Sequence, residues 1–247
     1  MPRPVPLPLR PLAWLALQLM LVVLGLMSLG WNLVALLLYP LLSRPRGRRV
    51  GRATIAWGYG VYWRFAELTG MMVLRAEALD GLRDEPGLIV VANHPSMLDA
   101  LMLVARLPRS ACVMKASLMR NPFLGPGARL ARYLRNDTPS GLVRLAVDDL
   151  RQGGQLVLFP EGTRTTRRPI NPFRPGFTLI AKMAGSPIQA VFIDTDSPYL
   201  GKGWPLWKLP PLPIVFHARL GRRFEPDADV QGLSARMEEY FRAELGR

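Results

Sequence analysis

The sequence predicts an α/β domain with a mixed, largely parallel sheet flanked by helices, preceded by a long apolar helix or helical hairpin. Three observations carry this. An uncharged run of 33 residues extends from Pro11 to Ser43. Beyond Leu79, short apolar runs alternate with helical periodicity. Two polar, chemistry-bearing motifs each follow directly on one of the short runs, where α/β sheets gather their ligands.

The chain has 247 residues, enough for one large domain with an appendage and for a core that needs no disulfide or structural metal. The organisation expected is an N-terminal membrane anchor with basic flanks over 1–52 and the α/β domain over 53–247. The proline-rich lead MPRPVPLPLRP comes first, and the apolar segment Leu12–Leu42 follows. It is too long for a signal peptide, and no small-residue cleavage site precedes the next basic cluster. At 1.5 Å per residue it would extend roughly 50 Å, against a hydrocarbon core of about 30 Å. It is therefore one strongly tilted helix or two shorter ones, with Gly25, Ser28, Gly30 and Asn32 marking the place for a break. Arg3 and Arg10 precede it, and Arg44, Arg46, Arg48, Arg49 and Arg52 follow. The more basic C-terminal flank puts the rest of the chain on the cytoplasmic side of the membrane. In a bacterium that is the inner membrane.

Ile55–Leu74 is a second apolar stretch, rich in Trp and Tyr, which suits an interfacial helix or a core helix equally. LIVVA at 88–92 reads as a buried strand and Leu98–Leu107 as a helix. Ala111–Met114 is a strand, Leu142–Leu150 a helix, Leu156–Phe159 a strand, Gly176–Ala184 a helix and Ile188–Ile193 a strand. Ile214–Leu220 adds a strand and Leu233–Leu245 a closing amphipathic helix. Ser197–Pro213, rich in Pro, Gly and Trp, reads as a long surface loop.

The net charge is +14, and 28 of the 32 basic residues are Arg. Arginine presents a planar fork that grips phosphate and carboxylate, so a phosphate-bearing partner is expected. Two histidines and one cysteine, Cys112, leave no zinc constellation and no internal disulfide, so no metal and no cofactor is expected.

The first motif is Asn93-His94-Pro95-Ser96-Met97-Leu98-Asp99. Histidine is the natural general base near neutral pH, and a carboxylate fixes its tautomer. A His-x4-Asp spacing across a strand–helix turn can fold the carboxylate back onto the imidazole. Ser96-x-x-Asp99 also fits a capping box, in which Asp99 only starts the helix. The second motif, Phe159-Pro160-Glu161-Gly162-Thr163-Arg164, follows the Leu156–Phe159 strand, and its Gly and Arg suit an anionic ligand. Arg167, Arg168 and Arg174 come next. Lys115, after the 111–114 strand, and Arg135 are more diffuse candidates.

Together these segments, from about Leu88 to Ile193, resemble the lysophospholipid acyltransferases, the family of the 1-acyl-glycerol-3-phosphate acyltransferases. NHPSMLD is similar to the family's Asn-His-x4-Asp block and FPEGTR to its Glu-Gly-Thr-Arg block. Arg135 is similar to the arginine of the block between them. Gly185–Val191 resembles the fourth block, with Ala190 where the family usually has a second proline. The resemblance implies a glycerol-phosphate acyltransferase-like fold and transfer of a fatty acyl chain from acyl-CoA or acyl-carrier protein to a lysophospholipid hydroxyl. The first acceptor it implies is 1-acyl-glycerol-3-phosphate, giving phosphatidate. His94 is then the general base and Asp99 its orienting partner. Arg135, Glu161, Gly162, Thr163 and Arg164 fall at acceptor-binding positions, with Lys115 and Arg174 in the same basic pocket.

The charge then serves an anionic membrane and acidic donors. Another lysolipid or an aminolipid is an alternative acceptor, and Tyr199, Trp204 and Trp207 in the 194–213 loop are placed to influence that choice. A non-catalytic, basic membrane-lipid-binding module would explain the charge and the apolar run, but not two chemical motifs each set after a strand. A nucleic-acid partner is not expected, because the aromatics are not interleaved with the basic residues. A serine hydrolase would need a Gly-x-Ser-x-Gly elbow, which the sequence lacks.

Overall fold

A computed structural model describes residues 4–136 and 138–246, so Arg3 of the N-terminal flank lies outside the described residues. In chain order the helices and strands are α1 (Arg10–Leu41), α2 (Arg44–Leu68), β1 (Met72–Arg75), β2 (Ile89–Ala92), α3 (Asp99–Arg106), β3 (Ser110–Lys115) and α4 (Gly125–Leu130). They continue with β4 (Leu134–Asn136), α5 (Pro139–Arg151), β5 (Gln155–Leu158), α6 (Gly176–Ala184), β6 (Ile188–Thr195), β7 (Ile214–Phe224) and α7 (Val230–Leu245).

The seven strands form one sheet in the order β1-β7-β6-β2-β5-β3-β4. Strands β6, β2, β5, β3 and β4 are mutually parallel, while β7 runs antiparallel to β6 and carries β1 parallel to itself. The mixed, mostly parallel sheet of the expected fold is thus present. The short strands β1 and β4 are additions to the elements read from the sequence.

The sheet is buried on both faces, as a parallel sheet must be when helices cover it. Along β2, Val90 and Ala92 point into one core with Trp63, Met102 and Phe216. Ile89 and Val91 point into the other with Leu150, Phe177, Ile180 and Phe241. That two-sided burial is why LIVVA is apolar throughout. Helix α6 ends at Gly185, whose φ of 68° is the left-handed conformation that stops a helix cheaply for glycine.

Helix α1 is continuous, so of the two readings the single helix holds and the pair of shorter helices, with a break near Gly25–Asn32, does not. Asn32 is the reason that this polar cluster sits mid-helix. Its side-chain amide donates to the carbonyls of Ser28 and Phe123 at 2.7 Å each, and its oxygen accepts from the Gly127 amide at 2.7 Å. It fastens α1 to the 123–127 turn instead of bending it. The chain reverses at Leu42–Ser43, and Pro45 opens α2, where a missing N–H costs nothing.

Helix α1 has two faces. Leu17, Met20 and Ala35 are buried, while Leu12, Leu15, Leu19, Val22, Leu26, Leu33 and Leu37 form an exposed stripe. Its N-terminal half is tied to the 197–213 loop by Trp14 Nε1–H donating to the Trp207 carbonyl at 2.8 Å and Gln18 Nε2–H donating to the Leu206 carbonyl at 2.9 Å. Near its other end the Arg132 guanidinium lies 5.4 Å over the Tyr39 ring. By length and composition it is apolar enough to cross a membrane, yet it is held against the α/β body from Trp14 to Tyr39, about 38 Å of helix.

Helix α2 is a core helix: Tyr62 and Trp63 are buried, with the Trp63 ring edge-on to Phe216. The expected 55–74 segment therefore splits into the end of α2 and strand β1. The expected boundary at 52/53 falls inside α2. Arg52, counted with the basic flank, is buried and bonds Asp149 through two contacts of 3.0 and 2.8 Å, besides the carbonyls of Ala131 and Arg109. Arg48 reaches the same carboxylate at 2.9 Å.

Candidate active site

The carboxyl ends of β2, β5, β3, β4 and β6 all lie along one edge of the sheet, because these strands are parallel. The chain leaves β2 at Asn93, which completes the strand with its side chain. Asn93 Oδ1 accepts from the Ile193 amide and its Nδ2–H donates to the Ile193 carbonyl, both at 2.8 Å. This amide pair holds the start of the turn against β6.

His94 follows. Its Nδ1 lies 2.9 Å from Asp99 Oδ2, and the same oxygen accepts from the Ser96 amide at 2.7 Å. The two readings of Asp99 are therefore compatible. It reaches back as a capping residue would, and it also orients the imidazole. The Asp99 side chain is wholly buried, and the His94 ring is 17% exposed. Burial pushes the Asp99 carboxyl up to about 6, against the lowering pull of the His94 and Ser96 hydrogen bonds, with Glu161 adding a smaller upward push. With Asp99 ionised, Nδ1 carries the proton and Nε2 keeps its lone pair.

The imidazole is stacked flat on Phe159, with centroids 3.9 Å apart and planes at 14°. Phe159 stands at the end of β5, the neighbour of β2. Two residues on, Glu161 is buried and 3% exposed. Its Oε1 accepts from the His94 amide at 3.0 Å and the Thr165 hydroxyl at 2.8 Å, and its Oε2 from the Asn171 amide at 2.8 Å. The Thr165 amide in turn donates to the His94 carbonyl at 2.7 Å. Glu161 thus fixes the backbone of the histidine, with its own carboxylate fully engaged.

Gly162 has φ +69°, and a Cβ there would come 3.1 Å from the Arg174 Nε. The left-handed turn and the close guanidinium both call for glycine. Arg174 is brought in by its amide, which donates to the Pro160 carbonyl at 2.9 Å. Thr163 lies half-buried in the same turn. Arg164 Nη1 donates to the carbonyls of Leu200 and Gly201, at 2.7 and 3.0 Å. Lys115 and Arg135 are farther along the edge. Met114 pairs with Arg135 and Lys115 with Asn136 between β3 and β4. Strand β4 is three strands from β2, about 14 Å at the usual spacing. The structure thus gathers His94, Asp99, Gly162, Arg164 and Arg174 closely, and sets Lys115 and Arg135 at the far end of the same edge. Among the described residues, no group of three His, Cys, Asp or Glu side chains is arranged to hold a metal ion.

The Ser197–Pro213 loop is not simply a surface loop. Tyr199 and Leu200 are buried. The Ser96 hydroxyl donates to the Tyr199 carbonyl at 3.0 Å, and the Met97 amide to the Leu200 carbonyl at 3.1 Å. Thr165 and Asn171 are the parts of the site that the sequence did not single out, and Phe159, though inside the second motif, was given no role. Thr165 stands beside that motif, but Asn171 has no local signal. Ala190, where the resemblance expects proline, is skipped in the pairing of β6 with β7, at an irregularity between Gln189 and Val191. On its other side Ala190 pairs with Val91 of β2.

Residues 73–194 match the family model described as Acyltransferase. The chain is 26% identical over 201 residues to a 1-acyl-sn-glycerol-3-phosphate acyltransferase of Limnanthes alba, covering 76% of this chain and 66% of that protein. It is 24% identical over 181 residues to the protein of the same name from Pseudomonas aeruginosa, covering 70% of this chain and 68% of that one. The chain thus spans about two thirds of the length of these relatives. The crystal structure of the 1-acyl-sn-glycerophosphate (LPA) acyltransferase PlsC from Thermotoga maritima shares the fold, with a TM-score of 0.71 and 21% identity over 96% of each chain. The family match embraces the β2 and β5 strands with the turns that bear His94, Asp99 and Glu161–Arg164, and the chain is an acyltransferase-like enzyme similar to the 1-acyl-sn-glycerol-3-phosphate acyltransferases.

Proposed function

We propose that this chain transfers a fatty acyl group from a thioester, acyl-CoA or acyl-carrier protein, to the free hydroxyl of a lysophospholipid, with 1-acyl-glycerol-3-phosphate as the first acceptor and phosphatidate as product. The observation that carries the reading is the 2.9 Å contact between His94 Nδ1 and the buried Asp99. An alcohol is a weak nucleophile near pH 7 and needs a base only as it attacks. His94 Nε2 takes the hydroxyl proton while the oxygen adds to the thioester carbonyl. The C–S bond then breaks, and the protonated imidazole returns the proton to the leaving thiolate. Asp99 stabilises the imidazolium during the interval. The acceptor itself is the nucleophile, so no acyl-enzyme forms.

Arg164 and Arg174 beside Gly162 supply charge-assisted donors for the acceptor phosphate, with Lys115 and Arg135 extending the basic edge. Glu161 acts through position, by holding the His94 backbone. The exposed stripe of α1, fastened along its length to the α/β body, suits a helix lying in the cytoplasmic face of an anionic bilayer rather than a free-standing span. In a bacterium this is the inner membrane.

The test uses the purified full chain in lipid, with labelled acyl-CoA or acyl-carrier protein and a panel of lysolipids, reading diacyl product by mass. Wild type should form product, and His94→Ala should lose roughly 10²–10⁴-fold or more of the turnover while staying folded and lipid-bound. Comparable turnover by the variant would defeat the general-base role. No product with any acceptor would return the chain to lipid binding without chemistry.

A further inference from the structure

The 197–213 loop joins two places that the fold otherwise keeps apart. Its first part is latched to the catalytic turn through the Tyr199, Leu200 and Gly201 carbonyls, which accept from Ser96, Met97 and Arg164. Leu200 holds a φ of +56°, a left-handed conformation that a leucine keeps only when its surroundings impose it. Its last part is latched to α1, where Trp14 and Gln18 donate to the Trp207 and Leu206 carbonyls. Trp204, between the latches, packs against the core, but at the second latch the side chains turn outward. Trp207 is 74% exposed and Leu206 49%.

That exposure is not scattered. Trp14 and Gln18 are one helical turn apart and adjoin Leu15 and Leu19, which belong to the exposed stripe of α1. The loop tip therefore continues the apolar surface of the helix sideways. Its charges are also particular. Two of the four lysines of the chain, Lys202 and Lys208, flank this tip, and the Lys208 ammonium lies 4.8 Å over the Trp204 ring. Tryptophan with lysine is the composition of a headgroup-level anchor: the indole takes the acyl boundary, and the long cationic side chain reaches the phosphates.

We propose that the Leu206–Trp207 tip is a second membrane-contacting element, which enters the headgroup–acyl boundary of an anionic bilayer alongside α1. The proposal rests on the reading of α1 as an interfacial helix. Two elements joined by the Trp14 and Gln18 hydrogen bonds then seat the catalytic edge against the lipid. Arg164, held by the same loop, faces acceptor delivered from the bilayer, and the lysolipid need not leave the membrane to react.

The test places a polarity-sensitive dye on Trp207→Cys in the full chain, Cys112 being buried, with Lys182→Cys as the reference on α6 across the sheet. On phosphatidylcholine–phosphatidylglycerol vesicles the dye at 207 should shift to the blue and be quenched by brominated lipid, while the dye at 182 should do neither. A dye at 207 that behaves as at 182, in protein that co-sediments with the vesicles, overturns the proposal. Protein that does not co-sediment overturns it together with the interfacial reading of α1, while turnover on detergent-dispersed acceptor tests catalysis separately. In parallel, Leu206→Ser should raise KM for vesicle-presented lysophosphatidate severalfold. Its KM and kcat on a water-soluble short-chain acceptor should not change. An equal loss on both acceptors would assign the tip a merely structural part.

Discussion

The His94 imidazole lies flat on the Phe159 ring, with centroids 3.9 Å apart and planes 14° from parallel. The side chain that follows β5 thus fixes one face of the base in the turn after β2. Together with the Asp99 contact at Nδ1, this leaves the ring a single orientation. Phe159→Leu should lower kcat roughly three- to tenfold, the scale of an aromatic contact worth about 0.5–1.5 kcal/mol. KM for the acceptor should barely move. Phe159→Tyr should restore kcat, and a Leu variant with wild-type kcat would show the stack to be incidental.

Asp99 sets the acid limb of activity. Burial raises its carboxyl to about 6, above its ordinary value of 3.8. The protonated form is therefore favoured by folding. Asp99 contributes stability that is fully present below about 3.8 and is lost as pH rises through about 6. Activity runs the other way, since only the ionised carboxylate holds the imidazole N–H. Measured kcat/KM should fall as pH drops below about 6 while the fold persists. Asp99→Asn should cost on the order of 10³–10⁴ in kcat.

Glu161 should behave as a positioning residue. Both of its oxygens accept hydrogen bonds, from the His94 and Asn171 amides and the Thr165 hydroxyl. In Glu161→Gln one oxygen becomes a donor facing a donor. Stability should fall by about 1–3 kcal/mol, the usual cost of a buried polar group left unmatched. The loss in kcat should accompany it. A rise in acceptor KM with unchanged thermal stability would instead make Glu161 a direct ligand.

The Arg52–Asp149 pair should matter to folding rather than to chemistry. Its atoms are buried, and Arg52 spends its donors on Asp149 and two carbonyls. Removing one partner leaves a buried charge uncompensated. Asp149→Ala should cost about 3–5 kcal/mol in chemical denaturation. Replacing both partners with apolar residues of similar volume should recover most of that loss.

The local sequence determined those features whose cause is local. The α/β alternation, the central strands β2, β5 and β6, helix α6 and the His94–Asp99 pairing were legible, because each depends on periodicity or a spacing of a few residues. The uncharged length of α1 was equally plain. Only the tertiary structure decided what those residues do to one another across the chain. Glu161 belongs to the histidine through a hydrogen bond spanning 67 positions, and Phe159 through a stack between neighbouring strands. Asn32 was a plausible break until the 123–127 turn supplied partners for its amide. Arg52 was a plausible flank charge until Asp149 met it from α5. Hydrogen bonds and burial between distant segments depend on how the layers pack, and packing has no signature in the neighbours of a single residue.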